Sequence, residues 1–330
     1  MKNPLITVIM PVYNGEKYIE KSIGSVFGQD YSAIELIVVN DGSLDGSLSL
    51  LEQLQQHEPH NVHLQIIDQE NQGICRSRNR AIHAAQGEYI LFIDQDDSMK
   101  PDCVSQLYRA LVEKRADMVI GGFELVDTEE KLLEIWTLNP EYKWDQYKIT
   151  APWGRIFKKE IINKNHIEFM ETKISEDFYF NLLYMSYCQK IVVTSYRGYR
   201  WLYNEKSESH ANMSQLSQDR NPLTMLTKLH QEMNMPNKLQ KEYVEYMIVK
   251  HIVWYLFYVV KSASKEDIRQ IYSECMVWLE QYYPKYWKNP LISFFRPKGE
   301  RGRIRVIVKV AVILKRMGLL EKGLQCYARL

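Results

Sequence analysis

The chain has 330 residues, enough for one large domain or two ordinary ones with a substantial core. Its 42 Lys and Arg balance 41 Asp and Glu to a net charge of +1, which removes any global case for nucleic acid as a partner. Five scattered cysteines form no CxxC pair or zinc spacing, and no apolar run approaches the roughly 20 residues of a membrane span. Free thiols in a reducing compartment are expected. With no signal-peptide pattern at the start, so is a cytoplasmic chain.

Residues 5–10 form a compact apolar run that stops at Pro11, a buried first strand. Helical periodicity follows over 16–27, with Tyr18, Ile19, Ile23 and Val26 on one side. A second buried strand (35–39) ends in Asn40-Asp41-Gly42-Ser43, followed by a helix over 45–56. A third strand (62–67), a helix (75–85), a Gly87-Glu88 turn and a fourth strand (89–93) come next, then a helix over 101–114 and a strand over 117–123. Strands alternating with helices predict an α/β fold of βαβ units with a mainly parallel sheet. After about residue 125 the alternation weakens. Residues 132–138 read as an antiparallel strand, 177–187 as a helix, and 191–194 and 199–203 as strand-like segments. Beyond Asn221 the pattern is almost wholly helical, so two domains are expected, 1–220 and 221–330.

The densest chemistry is Phe92-Ile93-Asp94-Gln95-Asp96-Asp97, a carboxylate cluster directly after an apolar strand. Open α/β sheets bind ligands at the carboxyl ends of their strands. Two carboxylates one residue apart there can hold a divalent cation, the natural partner of a nucleotide diphosphate. The competing reading is a cap, with Asp97 or Ser98 opening the helix that follows. Two more loops, Pro11-Val12-Tyr13-Asn14-Gly15 and Asn40-Asp41-Gly42-Ser43, would lie at the same sheet edge. A tyrosine there can stack on a base and an aspartate can accept from uracil N–H; as turn chemistry the same pairs are ordinary. A third loop, Asn71-Gln72-Gly73, opens a helix carrying Arg76, Arg78 and Arg80, of which at most one or two can point inward. An inward arginine at a helix start suits a diphosphate.

Taken in order, Pro11-Val-Tyr-Asn, Val39-Asn-Asp41-Gly-Ser, Asn71-Gln-Gly73 with Ser77-Arg78-Asn79, and Asp94-Gln-Asp96-Asp97 resemble family 2 glycosyltransferases of the GT-A fold over roughly residues 4–125. Ser77 departs from the alanine more usual there. The resemblance implies a Rossmann-like, mostly parallel sheet with helices on both faces, followed by a helical C-terminal region. It implies an inverting transfer from a UDP-sugar with Mn2+ or Mg2+. Pro11, Tyr13, Asn14, Asp41, Asn71 and Gly73 would surround the nucleotide, with Tyr13 and Asp41 at the uracil. Arg78 would serve the phosphate side, Asp94 the ribose or metal, and Asp96 the metal. Ser175-Glu176-Asp177 resembles the family's Glu-Asp segment, with Asp177 as general base beside Glu176; a helix start with two acids also simply complements the dipole. Within Ala151-Pro-Trp153-Gly-Arg155, Trp153 would stack on a sugar face and Arg155 would touch diphosphate or acceptor, or the segment is an aromatic packing corner. His210 lies where such enzymes carry a lid and would add a metal or phosphate ligand, unless it is merely solvated.

The run from Arg296 to Arg316 is basic, and on a helix Arg301, Arg305, Lys309 and Arg316 share a side opposite Ile304, Ile307, Val308, Ala311 and Leu314. That pattern suits an interfacial helix on anionic lipid at the inner face of the cell membrane, a helix packed on its own domain, or pairing of two chains as a homodimer. The acceptor would be a glycan or lipid-linked saccharide in cell-surface polysaccharide synthesis. Rival functions are a non-catalytic carbohydrate-binding or scaffolding homologue, and a nucleotidyltransferase. The latter would want a glycine-rich basic loop after the first strand, and Pro11-Val-Tyr-Asn-Gly is not one. No GxGxxG follows an early strand, which excludes a dinucleotide-binding dehydrogenase.

Overall fold

A computed structural model describes residues 3–172, 174–204, 221–235 and 238–329. The chain forms two compact units: residues 1–141, 150–171 and 176–204 in the first, and 142–149, 172–175 and the helices after residue 220 in the second.

The first unit opens with β1 (Ile6–Val12), α1 (Ile19–Phe27), β2 (Ile34–Asp41), α2 (Ser47–Gln55), β3 (Val62–Gln69), α3 (Ile74–Ala84) and β4 (Tyr89–Phe92). The four strands pair in parallel in the order β3-β2-β1-β4. Every residue of β1 and β2 is buried, which is why these strands read as continuous apolar runs rather than as an alternation. The apolar face of α1, Ile19, Ile23 and Val26, is the buried one its periodicity predicts.

The remainder contributes β5 (Ser98–Met99), α4 (Cys103–Lys114), β6 (Met118–Val126), β7 (Leu132–Trp136), β8 (Arg155–Lys158), α5 (Lys159–Lys164), α6 (Glu176–Tyr187) and β9 (Ile191–Leu202). Here the sheet is mixed. β8 lies antiparallel between β4 and β6, β9 runs parallel to β6, and β7 and β5 add antiparallel edges. The helix expected from residue 101 begins at Cys103 behind Asp102, and Ser98–Met99 is strand, so Asp97 and Ser98 cap nothing. The two strand-like runs at 191–194 and 199–203 are one strand, whose register against β6 shifts around Gly122 and so absorbs the polar residues between them.

Beneath the sheet's acidic end sits an aromatic knot. Phe92 meets Phe157, Phe169 and Phe180 edge-on at 5.4–5.7 Å, and Phe169 stacks on Phe180 at 4.0 Å. This cluster anchors β4, β8 and α6 at one point, and so fixes where the acidic loop after β4 and the start of α6 emerge.

The second unit is helical: α7 (Leu223–Glu232), α8 (Lys238–Val259), α9 (Lys265–Tyr282), α10 (Gly302–Arg316) and α11 (Leu320–Tyr327). Much of α8 is buried around its circumference, including Tyr246, Ile248, Val249, Ile252, Tyr255 and Leu256. Its aromatic width is taken up by internal packing, for Trp144 stacks on Tyr147 and Tyr243 and carries Lys250 4.9 Å above its ring. A Ser264–Asp267 capping box starts α9.

Candidate active site

The loops after β1 and β2 are stitched to each other by hydrogen bonds. The Asn14 N–H donates to Ser43 Oγ (3.0 Å), Asn14 Oδ1 accepts from Leu44 N–H (2.8 Å), and Gly15 N–H donates to Ser47 Oγ (2.9 Å). Asn14 adopts a left-handed backbone (φ 50°), a conformation asparagine tolerates. Gln95 joins this loop to the acidic one: its Oε1 accepts from Tyr13 N–H at 2.8 Å and its Nε2 donates to Tyr13 O at 3.2 Å. The Tyr13 ring is 43% exposed, free to meet a ligand, while Pro11 is buried within β1.

Asp41 is nearly buried and organises the third loop. Its Oδ1 accepts from Gln69 Nε2 (2.6 Å) and Gln72 N–H (2.9 Å), and its Oδ2 accepts from Gly73 N–H (2.8 Å). Most of its acceptor capacity is thus committed to holding residues 71–73, with Asn71 exposed beside them. Gly42 permits this closeness: its φ is +69°, and a Cβ there would meet Asn71 N at 2.7 Å.

Of the three arginines on α3, Arg76 reaches out to Glu171 and Arg80 to Gln69, and Arg78 alone turns inward. Its guanidinium donates from Nη1 to Asp177 Oδ1 at 2.7 Å and from Nη2 to Asp94 Oδ1 at 2.9 Å, 5.0 Å above the Phe169 ring. Burial disfavours the charge, but Asp177, Asp94 and Glu176 outweigh it and raise the Arg78 pKa. Two of its five N–H donors are thus engaged by carboxylates, and the side chain is almost wholly buried, so the phosphate contact implied for Arg78 is not seen directly.

Burial raises the Asp177 pKa, Glu176 and Asp94 add to the rise, and Arg78 opposes it; the result is about 7. The side chain is still 27% exposed, so the group is both perturbed and reachable. Asp96 is raised to about 6, by burial and by the neighbouring Asp94 charge. Asp97, also pushed well up by burial and by both neighbouring acids, is internal: it accepts from Tyr199 Oη (2.5 Å) and Leu202 N–H (2.8 Å), while Asp94 N–H donates to the same Tyr199 oxygen (3.2 Å). The roles of Tyr199, Gln95 and Gln69 in supporting these acids and loops are not given by the sequence. Tyr199 lies 102 residues from Asp97, beyond any spacing rule, and Gln95 sat unremarked among stronger residue types.

No group of three His, Cys, Asp or Glu among the described residues is arranged to enclose a metal. Asp94 and Asp96 nevertheless fit a hard cation. They are oxygen donors whose mutual repulsion a divalent ion relieves, and Mg2+ or Mn2+ commonly takes its remaining ligands from substrate phosphates and water. His210 lies outside the described residues. Trp153 is buried and stacked on Tyr199 (4.4 Å, 2°) with Phe123 against its edge, so it is the packing corner rather than an open sugar platform. Arg155 is wholly buried on β8; burial lowers its pKa to about 9 against the pull of Asp177. A guanidinium with no exposed surface does not reach a diphosphate or acceptor.

A sheet that gathers its loops and carboxylates at its parallel strand ends, followed by a helical unit, is the GT-A architecture. Residues 7–168, just under half of the chain, match the model described as glycosyl transferase family 2. It is 29% identical over 205 residues to the glycosyltransferase GlyA of Streptococcus pneumoniae, covering 57% of this chain but only 29% of GlyA. It is 26% identical over 324 residues to the uncharacterized glycosyltransferase EpsJ of Bacillus subtilis, covering 94% and 85% of the two chains. The fold is that of TarS 1–349 of S. aureus, with a TM-score of 0.72 at 20% identity over 95% of this chain and 92% of that one.

Proposed function

We propose that the protein is an inverting glycosyltransferase that moves a sugar from a UDP-sugar to a hydroxyl of a glycan or lipid-linked saccharide in cell-surface polysaccharide synthesis. The observation that carries this reading is the shared guanidinium. Arg78 holds Asp177 and Asp94 together, placing a carboxylate of pKa about 7 beside the acids that face the donor. The solved TarS complex with UDP-GlcNAc supports a UDP-sugar donor on this fold. The five scattered cysteines suit a reducing compartment and hence a cytoplasmic place of work.

In this mechanism Asp177 accepts the proton of the acceptor hydroxyl as its oxygen attacks the anomeric carbon from the face opposite the diphosphate. The new carbon–oxygen bond forms as the bond to the diphosphate breaks, and UDP departs with the electron pair. Arg78 fixes the Asp177 carboxylate and keeps it from drifting to a still higher pKa. Tyr13 and the loop fixed by Asp41 bracket the base. Asp96 and Asp94 would hold Mn2+ or Mg2+, which supplies charge neutralisation for the leaving diphosphate.

The test is a panel of UDP-sugars assayed for UDP release with and without acceptor saccharides. One preferred donor is expected, and Asp177→Asn should lower transfer by about 10² or more while UDP affinity stays within about threefold. Transfer at the parent rate in Asp177→Asn would remove the base assignment. Turnover of nucleoside triphosphates instead would favour a nucleotidyltransferase, and saccharide binding without turnover a scaffold.

A further inference from the structure

In the second unit, α10 packs by Val308, Ala311 and Val312, which are buried. The face expected to be apolar was Ile304, Ile307, Val308, Ala311 and Leu314, and part of it is this internal seam. A second apolar face points outward: Val306, Ile307, Val310, Ile313 and Met317 are exposed, from 37% at Ile313 to 63% at Met317. Their spacing of three and four residues forms a continuous stripe about 17 Å long. Such a stripe on a helix already packed on its other side is a surface that meets something.

The charge around it says what. From Arg301 to Leu320 there are six basic residues and no acid. Arg303 lies within the outward arc, and Lys309 and Arg316 flank it, with no carboxylate against any of these three among the described residues. Lys315 is paired with Glu280. At the C-terminal end of the helix a cleft of about 440 Å³ is lined by Arg316, Lys315, its partner Glu280, Pro284, Tyr286 and Trp287, so an indole stands where α10 ends. Apolar stripe, basic border and terminal tryptophan are the composition of a helix lying in a headgroup layer. A twofold pairing of this face would instead set two such basic borders against each other.

We infer that the outward face of α10, from Arg303 to Met317, docks the protein flat on an anionic lipid surface. Val306, Val310, Ile313 and Met317 enter the acyl boundary, while Arg303, Lys309 and Arg316 meet headgroup phosphates. This goes beyond the transferase reading and is independent of donor, acceptor and metal.

The experiment is co-sedimentation of the full chain with phosphatidylcholine vesicles and with vesicles containing 30 mol% phosphatidylglycerol, about that proportion being enough to give a clearly negative surface potential. Binding to the anionic vesicles only is expected, falling at least about tenfold on raising the salt from about 0.1 to 0.5 M. The Arg303→Gln/Lys309→Gln/Arg316→Gln variant and the Val310→Glu/Ile313→Glu variant should each lose about tenfold or more in binding, with far-UV circular dichroism and UDP release in solution unchanged. No binding to anionic vesicles, or equal binding to neutral ones, overturns the inference. So does a concentration-dependent dimer in sedimentation velocity that Val310→Glu abolishes, since a second copy would then cover the face.

Discussion

Arg78 and Asp177, 99 residues apart in the chain, meet through a 2.7 Å hydrogen bond from Nη1 to Oδ1. The same guanidinium spans to Asp94, so one buried cation ties the start of α6 to the end of β4. Removing it should leave two carboxylates uncompensated. Arg78→Met is expected to cost about 3–5 kcal/mol of stability at pH 8, measured by urea unfolding. The loss should shrink at pH 5, where the orphaned acids can protonate. An equal loss at both pH values would mean that Arg78 matters through packing on Phe169 rather than through charge.

The pH dependence of transfer follows from Asp177. A general base must be ionised, so with a pKa of about 7 the rate should fall about tenfold per unit as pH drops below 7. A rate that is flat between pH 5.5 and 8 would contradict its role.

Stability should run the other way. Asp177 and Asp96, at about 7 and 6, bind protons more tightly folded than unfolded, where a carboxylate titrates near 4. Between pH 4 and 7 the folded protein therefore carries more protons, and its stability declines as pH rises through that window. Asp45 and Asp117 are lowered by hydrogen bonds that outweigh their burial, and their contribution is lost only as pH falls through the acid range below 4. Metal-free protein should thus unfold at lower urea at pH 8 than at pH 5, and a divalent cation should narrow that gap.

Tyr199→Phe removes the hydroxyl that donates to Asp97 and accepts from Asp94 N–H. The buried Asp97 keeps only the Leu202 amide of these two donors, at a cost of about 1–3 kcal/mol in urea unfolding. Because Trp153 still stacks on the ring, the sheet should stay intact and UDP affinity should fall with the looser acidic loop. Unchanged stability would show that the hydroxyl is dispensable.

Gly42→Ala places a methyl against Asn71 N in a left-handed backbone. The 71–73 loop that Asp41 holds must move, and UDP affinity should drop about tenfold or more by calorimetry. Parent-like affinity would separate that loop from the nucleotide.

The parallel half of the fold was legible because β1 and β2 are buried on both faces and close just past Pro11 and at Asn40-Asp41, so apolar run and turn signal agree. β8 was not. It has four residues, carries a charge at each end and is held in the sheet by β4 and β6 rather than by its own pattern. The acids of the site could be read because Asp41 closes a strand, Asp94 and Asp96 follow one directly, and Asp177 opens a helix. What could not be read was which partner each one meets. That Arg78 alone faces inward, that Arg155 and Trp153 are buried, and that Tyr199 supports Asp94 and Asp97 all depend on contacts spanning 16 to 105 residues.

The most direct test is calorimetric titration of UDP into the parent protein, with Mn2+ and in chelator. The account predicts binding strengthened at least about tenfold by the metal, with that gain lost in Asp96→Asn. No UDP binding under any metal, or the same affinity in chelator, would contradict it.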